Sequence, residues 1–226
     1  MSEDVNGADL VLNRVSKQYR AGKVIINEIS GRFRPGEATL LYGPNGSGKT
    51  TFLRLLSVNT FPSSGEIHYG EIDIHRHPYR YLNHVGLVHD EESLPQHLSA
   101  TELLEWVLRS RELWSDGSEE RIDHLLNHLE LDEESRQDEI GTYSTGMRKK
   151  AQIAAAFITE PPVLILDEPL RGLDKTATVK VVELLQQAVG RGGILLMASH
   201  SRQVSEELFN RVLTFPLSGS ELPSGP

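Results

Sequence analysis

The sequence predicts an α/β fold in one domain: a mainly parallel sheet, an antiparallel β layer on its N-terminal side, and an inserted helical subdomain. Three observations predict it. Residues 163–166 (VLIL) and 194–198 (ILLMA) are continuous apolar runs, the pattern of parallel strands covered on both faces. Residues 10–15 and 24–33 read as strands with partial alternation, and residues 66–69 and 72–74 flank Gly70 as a small hairpin at the edge of the core. From about residue 91 to 160 strand signals vanish and helical spacing takes over. The expected division of the single domain 1–226 is a core of 8–89 and 161–215, a helical subdomain of 90–160, and a flexible Ser/Gly/Pro-rich tail of 216–226.

In chain order, residues up to about Gly7 are expected to be disordered. Pro35-Gly36 is a turn leading into the apolar strand 38–42, and 51–56 looks helical. Residues 85–88 (VGLV) are another buried strand. Helices are predicted over 101–113 and 118–131; in the first, Leu103, Leu104, Val107 and Leu108 make one apolar face, and Trp106 is assigned to core packing. A helix through 151–158 is stopped by Pro161-Pro162, and one over 175–189 is closed by Gly190, Gly192 and Gly193.

Composition narrows the function classes. A formal net charge of −9 argues against a nucleic-acid partner bound through phosphate neutralisation. The absence of cysteine excludes disulfides and thiolate metal sites, and fits a reducing compartment. No run approaches the roughly 18 apolar residues that span a bilayer, and the N-terminus has no signal-peptide pattern. The chain is therefore expected to be cytoplasmic, with any membrane role supplied by a partner.

The chemistry concentrates in Gly43-Pro44-Asn45-Gly46-Ser47-Gly48-Lys49-Thr50, with Thr51 continuing into the helix. Between a strand and a helix, this spacing is a phosphate loop. Glycines let successive backbone N–H groups converge on polyphosphate oxygens, and the helix adds the positive end of its dipole. Lys49 adds a full charge for the β- and γ-phosphates, and Thr50 a hydroxyl for Mg²⁺. Asp167-Glu168 ends the strand 163–166, at the edge where parallel sheets place ligands. There Asp167 suits Mg²⁺, and Glu168 suits a base that orients and deprotonates water. His200 ends the next strand; it either hydrogen-bonds a γ-phosphate or is a surface histidine at a helix N-terminus. Ser144-Thr145-Gly146-Met147 opens a helix and makes a second anion site, which one nucleotide does not need; it points to a neighbouring molecule.

The ordered set of these motifs, with Arg171-Gly172-Leu173-Asp174, resembles the ATP-binding-cassette (ABC) ATPase family over about residues 10–215. The resemblance implies a P-loop NTPase core and a head-to-tail dimer, with a second copy or a homologous cassette, sandwiching two ATP molecules. Each ATP would lie between one subunit's loop and the other's Ser144, Thr145 and Gly146. Asp174 would link the two sites, and Tyr19 would stack on adenine. Thr145 and Met147 depart from the commonest family pattern; the Tyr-Ser-x-Gly-Met-Arg form resembles cassettes that serve exporters. The implied function is ATP hydrolysis with Mg²⁺, driving export through a separate membrane subunit that holds the chain at the cytoplasmic face. A second departure is Asp90, where the family places a glutamine; it is expected on the metal side or turned away. A soluble assembly ATPase and an ATP-holding regulatory module are the alternative readings. His124 and His128 are read as a solvated face, His75 and His77 as caps of the edge hairpin, and the acidic stretch 132–139 as a solvated loop.

Overall fold

A computed structural model describes residues 7–19, 22–90, 93–200 and 208–223. The expected disorder of residues 1–6 and the last three residues of the expected tail lie outside them. In chain order the elements are β1 (Leu10–Gln18), β2 (Val24–Phe33), β3 (Ala38–Tyr42), α1 (Lys49–Leu56), β4 (Ser64–Tyr69), β5 (Ile72–Asp73), α2 (Pro78–Leu82), β6 (Val85–Val88), α3 (Ala100–Ser110), α4 (Ser118–His128), α5 (Thr145–Phe157), β7 (Val163–Asp167), α6 (Lys175–Gly190), β8 (Ile194–Ser199) and β9 (Arg211–Thr214).

Two sheets result, as the fold class requires. The antiparallel sheet has the order β2-β1-β4-β5, and the other has the order β6-β7-β8-β3-β9 with parallel pairings throughout. All residues of β7 and β8 are buried, which explains why both read as unbroken apolar runs. Alternate residues of the parallel strands feed two cores. Leu164, Leu166, Leu195 and Met197 pack with helices α3 to α6, whereas Val163, Ile165, Ile194 and Leu196 pack with α1 and the antiparallel sheet. The central sheet is thus the shared wall between the helical subdomain and the β layer.

Helix α3 starts at a capping box. Ser99 accepts from the Glu102 N–H at 3.2 Å, and the Glu102 carboxylate accepts from the Ser99 N–H at 2.8 Å. Its buried face is Ala100, Leu103, Leu104 and Leu108. Trp106 is not in the core: it is 60% exposed. Two residues from both Leu104 and Leu108, it sits about 200° round the helix from each. Helical phase, not the apolar character of its neighbours, decides where the ring lies.

Three further expectations are corrected. The segment 216–223 does not hang free. Ser30 donates to Ser220 at 2.8 Å, Leu222 donates to Ser30 at 2.8 Å, and the Leu222 side chain is buried against Gly31. A Cβ on Gly31 would fall 2.7 Å from that of Leu222, so the glycine admits the strap. Within the acidic stretch, Arg136 is buried and bonds Asn127, Asp123 and the Leu131 carbonyl; the surrounding carboxylates are partly its counter-charge. His128 is half-buried, 3.0 Å from the Lys180 carbonyl on α6, so only His124 is solvent-facing as expected. The hairpin reading of His75 holds: Asp73 accepts from its N–H, and its ring meets the Thr60 carbonyl at 3.1 Å. Helix α2 and strand β9 were not anticipated; five and four residues are too few to show a period.

Candidate active site

Strand register builds the site. Tyr42 of β3 lies opposite Ser199 of β8, Asp167 of β7 opposite Ala198, and Val88 of β6 opposite Leu166. The residues that follow these ends, Gly43, His200, Glu168 and the pair His89-Asp90, therefore leave the sheet at one edge. Of these, Asp90, Glu168 and His200 border a cleft of about 270 Å³, lined also by Asn45 to Thr51, Ile25, Asp167 and Arg171.

The loop between β3 and α1 needs its glycines. A Cβ on Gly43 would fall 2.5 Å from the Phe215 carbonyl oxygen, and Gly48 begins α1 in the left-handed region at φ 107°. Lys49 is buried, and its ammonium donates to the carbonyls of Gly43 at 2.7 Å and Pro44 at 3.2 Å. It therefore curls over the loop, where a bound phosphate would lie. Ser47 Oγ is buried with no hydrogen-bond partner among the described residues, an unmet polar atom in the centre of the cradle. Both observations fit an anion held by this loop.

Asp167 is buried at the end of β7 and accepts from the Thr50 hydroxyl. Burial pushes its carboxyl above the usual range; the Thr50 bond opposes this, Asp90 and Glu168 add to it, and Lys49 opposes it. Three oxygen groups, Thr50, Asp167 and Asp90, thus face one space that would gain from a cation. Among the described residues no group of three or more His, Cys, Asp or Glu is placed to hold a metal alone. That donor set fits Mg²⁺, which takes one or two carboxylates and completes its shell with water and phosphate oxygens.

The raised Asp167 carboxyl has a sign. A neutral Asp167 favours the folded state, an advantage complete below the ordinary carboxylate value of 3.8 and lost as pH rises through the raised one. At neutral pH the ionised group weighs on the metal-free protein. Asp167→Asn is expected to raise the metal-free melting temperature at pH 7 by about 2–4 °C. The gain should shrink as pH falls towards 4, and a thermal scan at two pH values checks both.

Glu168 occupies the left-handed region at φ 49°, a strained position for a residue with a side chain. Its N–H donates to the Ala198 carbonyl at 3.0 Å, and Oε1 lies 2.9 Å from His200 Nδ1. A carboxylate only accepts, so the proton of this bond is on Nδ1. Asp90 is held by an arginine. Both its oxygens are taken by Arg171 Nη1, at 2.7 and 3.0 Å. Arg171 and Ile25 are the cleft residues that the sequence reading missed. Arg171 stands in a motif whose pattern does not point to Asp90, and that partner is 81 residues away.

The remaining expected residues lie elsewhere. Ser144 caps α5, accepting from the Met147 N–H at 3.2 Å; it and Thr145 are exposed and, with Gly146, outside the cleft lining. Asp174 caps α6, accepting from the Ala177 N–H at 2.8 Å. Tyr19 is 43% exposed beyond β1, with Lys17 Nζ 5.1 Å from its ring centre, and is also outside the lining.

A phosphate loop at the end of a parallel strand, facing an Asp-Glu pair and a histidine, defines a nucleotide-binding P-loop protein. The chain belongs to the ABC transporter family, whose model matches residues 26–171. Among curated relatives it is 35% identical to a Nod factor export ATP-binding protein I of Cupriavidus metallidurans, over 91% of this chain and 67% of that protein. It is 31% identical to the daunorubicin resistance ATP-binding protein DrrA3 of Streptomyces coeruleorubidus, over 90% of this chain and 64% of that one. The chain thus spans about two thirds of the length of these relatives. Solved structures share the fold. An ATP-binding subunit of an ABC transporter matches with a TM-score of 0.86 at 24% identity, covering 96% of this chain and 89% of that one. A dimeric ATP-binding cassette described as a post-hydrolysis state with ADP and Pi matches with a TM-score of 0.81 at 22% identity, covering 96% and 97%.

Proposed function

We propose that this chain is the ATP-hydrolysing, nucleotide-binding subunit of an export-type ABC transporter. It works as a head-to-tail dimer, with itself or a homologous cassette, and reaches the cytoplasmic face of a membrane through a separate membrane subunit. One observation carries the reading: Lys49, Thr50, Asp167, Glu168 and His200 line a single cleft, while Ser144 and Thr145 are exposed and lie outside its lining. A second anion site turned outward is of use to a neighbouring molecule's nucleotide. The relatives named for Nod factor export and daunorubicin resistance support the lean to export.

In this reading Lys49 exchanges its loop carbonyls for the β- and γ-phosphates. Thr50 and Asp167, with Asp90, would hold Mg²⁺. Bound there, Mg²⁺ neutralises charge on the phosphates. Glu168 orients a water and takes its proton, and His200, now tied to Glu168, reports on the γ-phosphate. Ser144, Thr145 and Gly146 close the partner's site, Asp174 lies on the path between the two, and Tyr19 stacks on adenine.

Sedimentation of Glu168→Gln with saturating ATP and Mg²⁺ tests the dimer. The expected result is a nucleotide-dependent dimer that Ser144→Ala or Ser144→Arg weakens. A monomer at every protein concentration with ATP bound would remove the head-to-tail arrangement. Flotation with membranes containing a co-expressed membrane subunit, but not with bare lipid, is the result expected for a transporter.

A further inference from the structure

Three carboxylates, Asp90, Asp167 and Glu168, converge on the cleft, and each is matched to a donor: Arg171, the Thr50 hydroxyl and His200 respectively. The Asp90 match is the unusual one. Arg171 Nη1 covers both Asp90 oxygens, at 2.7 and 3.0 Å. A small divalent ion needs such an oxygen at about 2.1 Å with its lone pair free, so this grip and metal ligation by Asp90 compete for the same atoms. The pair is also weak enough to exchange. Arg171 is 62% and Asp90 40% exposed at the side chain, and ion pairs in that setting are screened by water.

We propose that Arg171 is a resident competitor of the divalent metal, holding Asp90 in the metal-free cleft and releasing it when the metal arrives beside Thr50 and Asp167. The inference rests on the reading of this cleft as a Mg·ATP site. It gives Asp90 two competing partners, each held by a charge-assisted contact that a neutral amide at this position would make more weakly. It also makes Arg171 a positioning residue for metal loading: it raises the metal concentration at which the nucleotide site fills. Its neighbour Gly172 borders the α5 entrance, since a Cβ on Gly172 would sit 3.7 Å from Thr145 Cγ2, and one on Gly146 3.4 Å from the Gly172 carbonyl. The released arginine therefore leaves a loop that touches the outward anion site.

The test uses Mn²⁺ as the probe, titrated by electron paramagnetic resonance into the full chain with a non-hydrolysable ATP analogue. Arg171→Ala is expected to bind Mn²⁺ about two- to fivefold more tightly than the parent, the range set by an exposed ion pair. Arg171→Lys should fall between, because lysine keeps the positive charge but as a more mobile and more strongly hydrated one. In an Asp90→Ala background, Arg171→Ala should change nothing. Unchanged or weaker Mn²⁺ binding in Arg171→Ala would overturn the proposal. So would an equal gain in the Asp90→Ala background, which would mean only that a positive charge had been removed nearby. Failure of the parent to bind Mn²⁺ with nucleotide would overturn this proposal together with the site reading beneath it.

Discussion

Glu168→Gln is expected to keep nucleotide affinity within about twofold while lowering ATP turnover by roughly 10²–10⁴-fold, the usual worth of a positioned base. The substitution is matched in shape. Glutamine keeps an oxygen that accepts from His200 Nδ1, now 2.9 Å from Glu168, and it meets the same backbone strain at φ 49°. What disappears is the capacity to take a proton from water. Phosphate release at saturating ATP, alongside equilibrium binding of a fluorescent analogue, separates the two quantities. A variant that turns over like the parent would take Glu168 out of the role; a variant that loses binding would assign it to the ground state.

The largest effect on stability is expected at Arg211, far from the phosphate loop. Its guanidinium pairs with Glu37 and bonds the carbonyls of Arg32 and Pro223, and both charged side chains are buried. Glu37 also accepts from the Thr39 hydroxyl at 3.2 Å and the Arg34 N–H at 3.2 Å. Arg211→Ala leaves that carboxylate buried without its counter-charge and is expected to cost about 3–5 kcal/mol, read from guanidinium unfolding. The double variant Glu37→Gln/Arg211→Ala should lose less than the single one. Glutamine carries no charge; its one oxygen can accept from the Arg34 N–H while its amide NH₂ donates to the Thr39 hydroxyl oxygen. A double variant worse than Arg211→Ala alone would mean that the acid has value without its partner.

Much of this architecture is legible in the chain because strands and loops announce themselves in different ways. Residues 24–33, 38–42 and 85–88 are bounded by turn residues and match the strands as observed. The phosphate loop, Asp167, Glu168 and His200 could be ordered along the sequence because parallel strands deliver their ends to one edge. What stayed hidden depends on pairing or on phase. Asp90 and Arg171 are separated by 81 residues, and nothing in either segment names the other. Arg136 sits among acidic residues that look solvated, yet its side chain is buried under α4 and bonds Asn127. The composition of 216–223 is that of a loose tail, and composition cannot show that Leu222 finds a gap made by Gly31. Trp106 shows the limit from the other side: an aromatic residue in an apolar helix still falls on the wet face when its angle is wrong.

Lys149 has a consequence beyond its own burial. The residue is only 2% exposed, and its ammonium donates to the His89 carbonyl at 3.2 Å and to Gln152 Oε1 at 3.0 Å. The same helix carries Ser144 to Gly146 at its mouth, and His89 is the peptide just ahead of Asp90. This contact is a strut, stiff because it has no water to yield into. If the chain pairs as proposed above, tilting this helix would drag the backbone beside Asp90, and each half would sense by leverage whether the other is loaded.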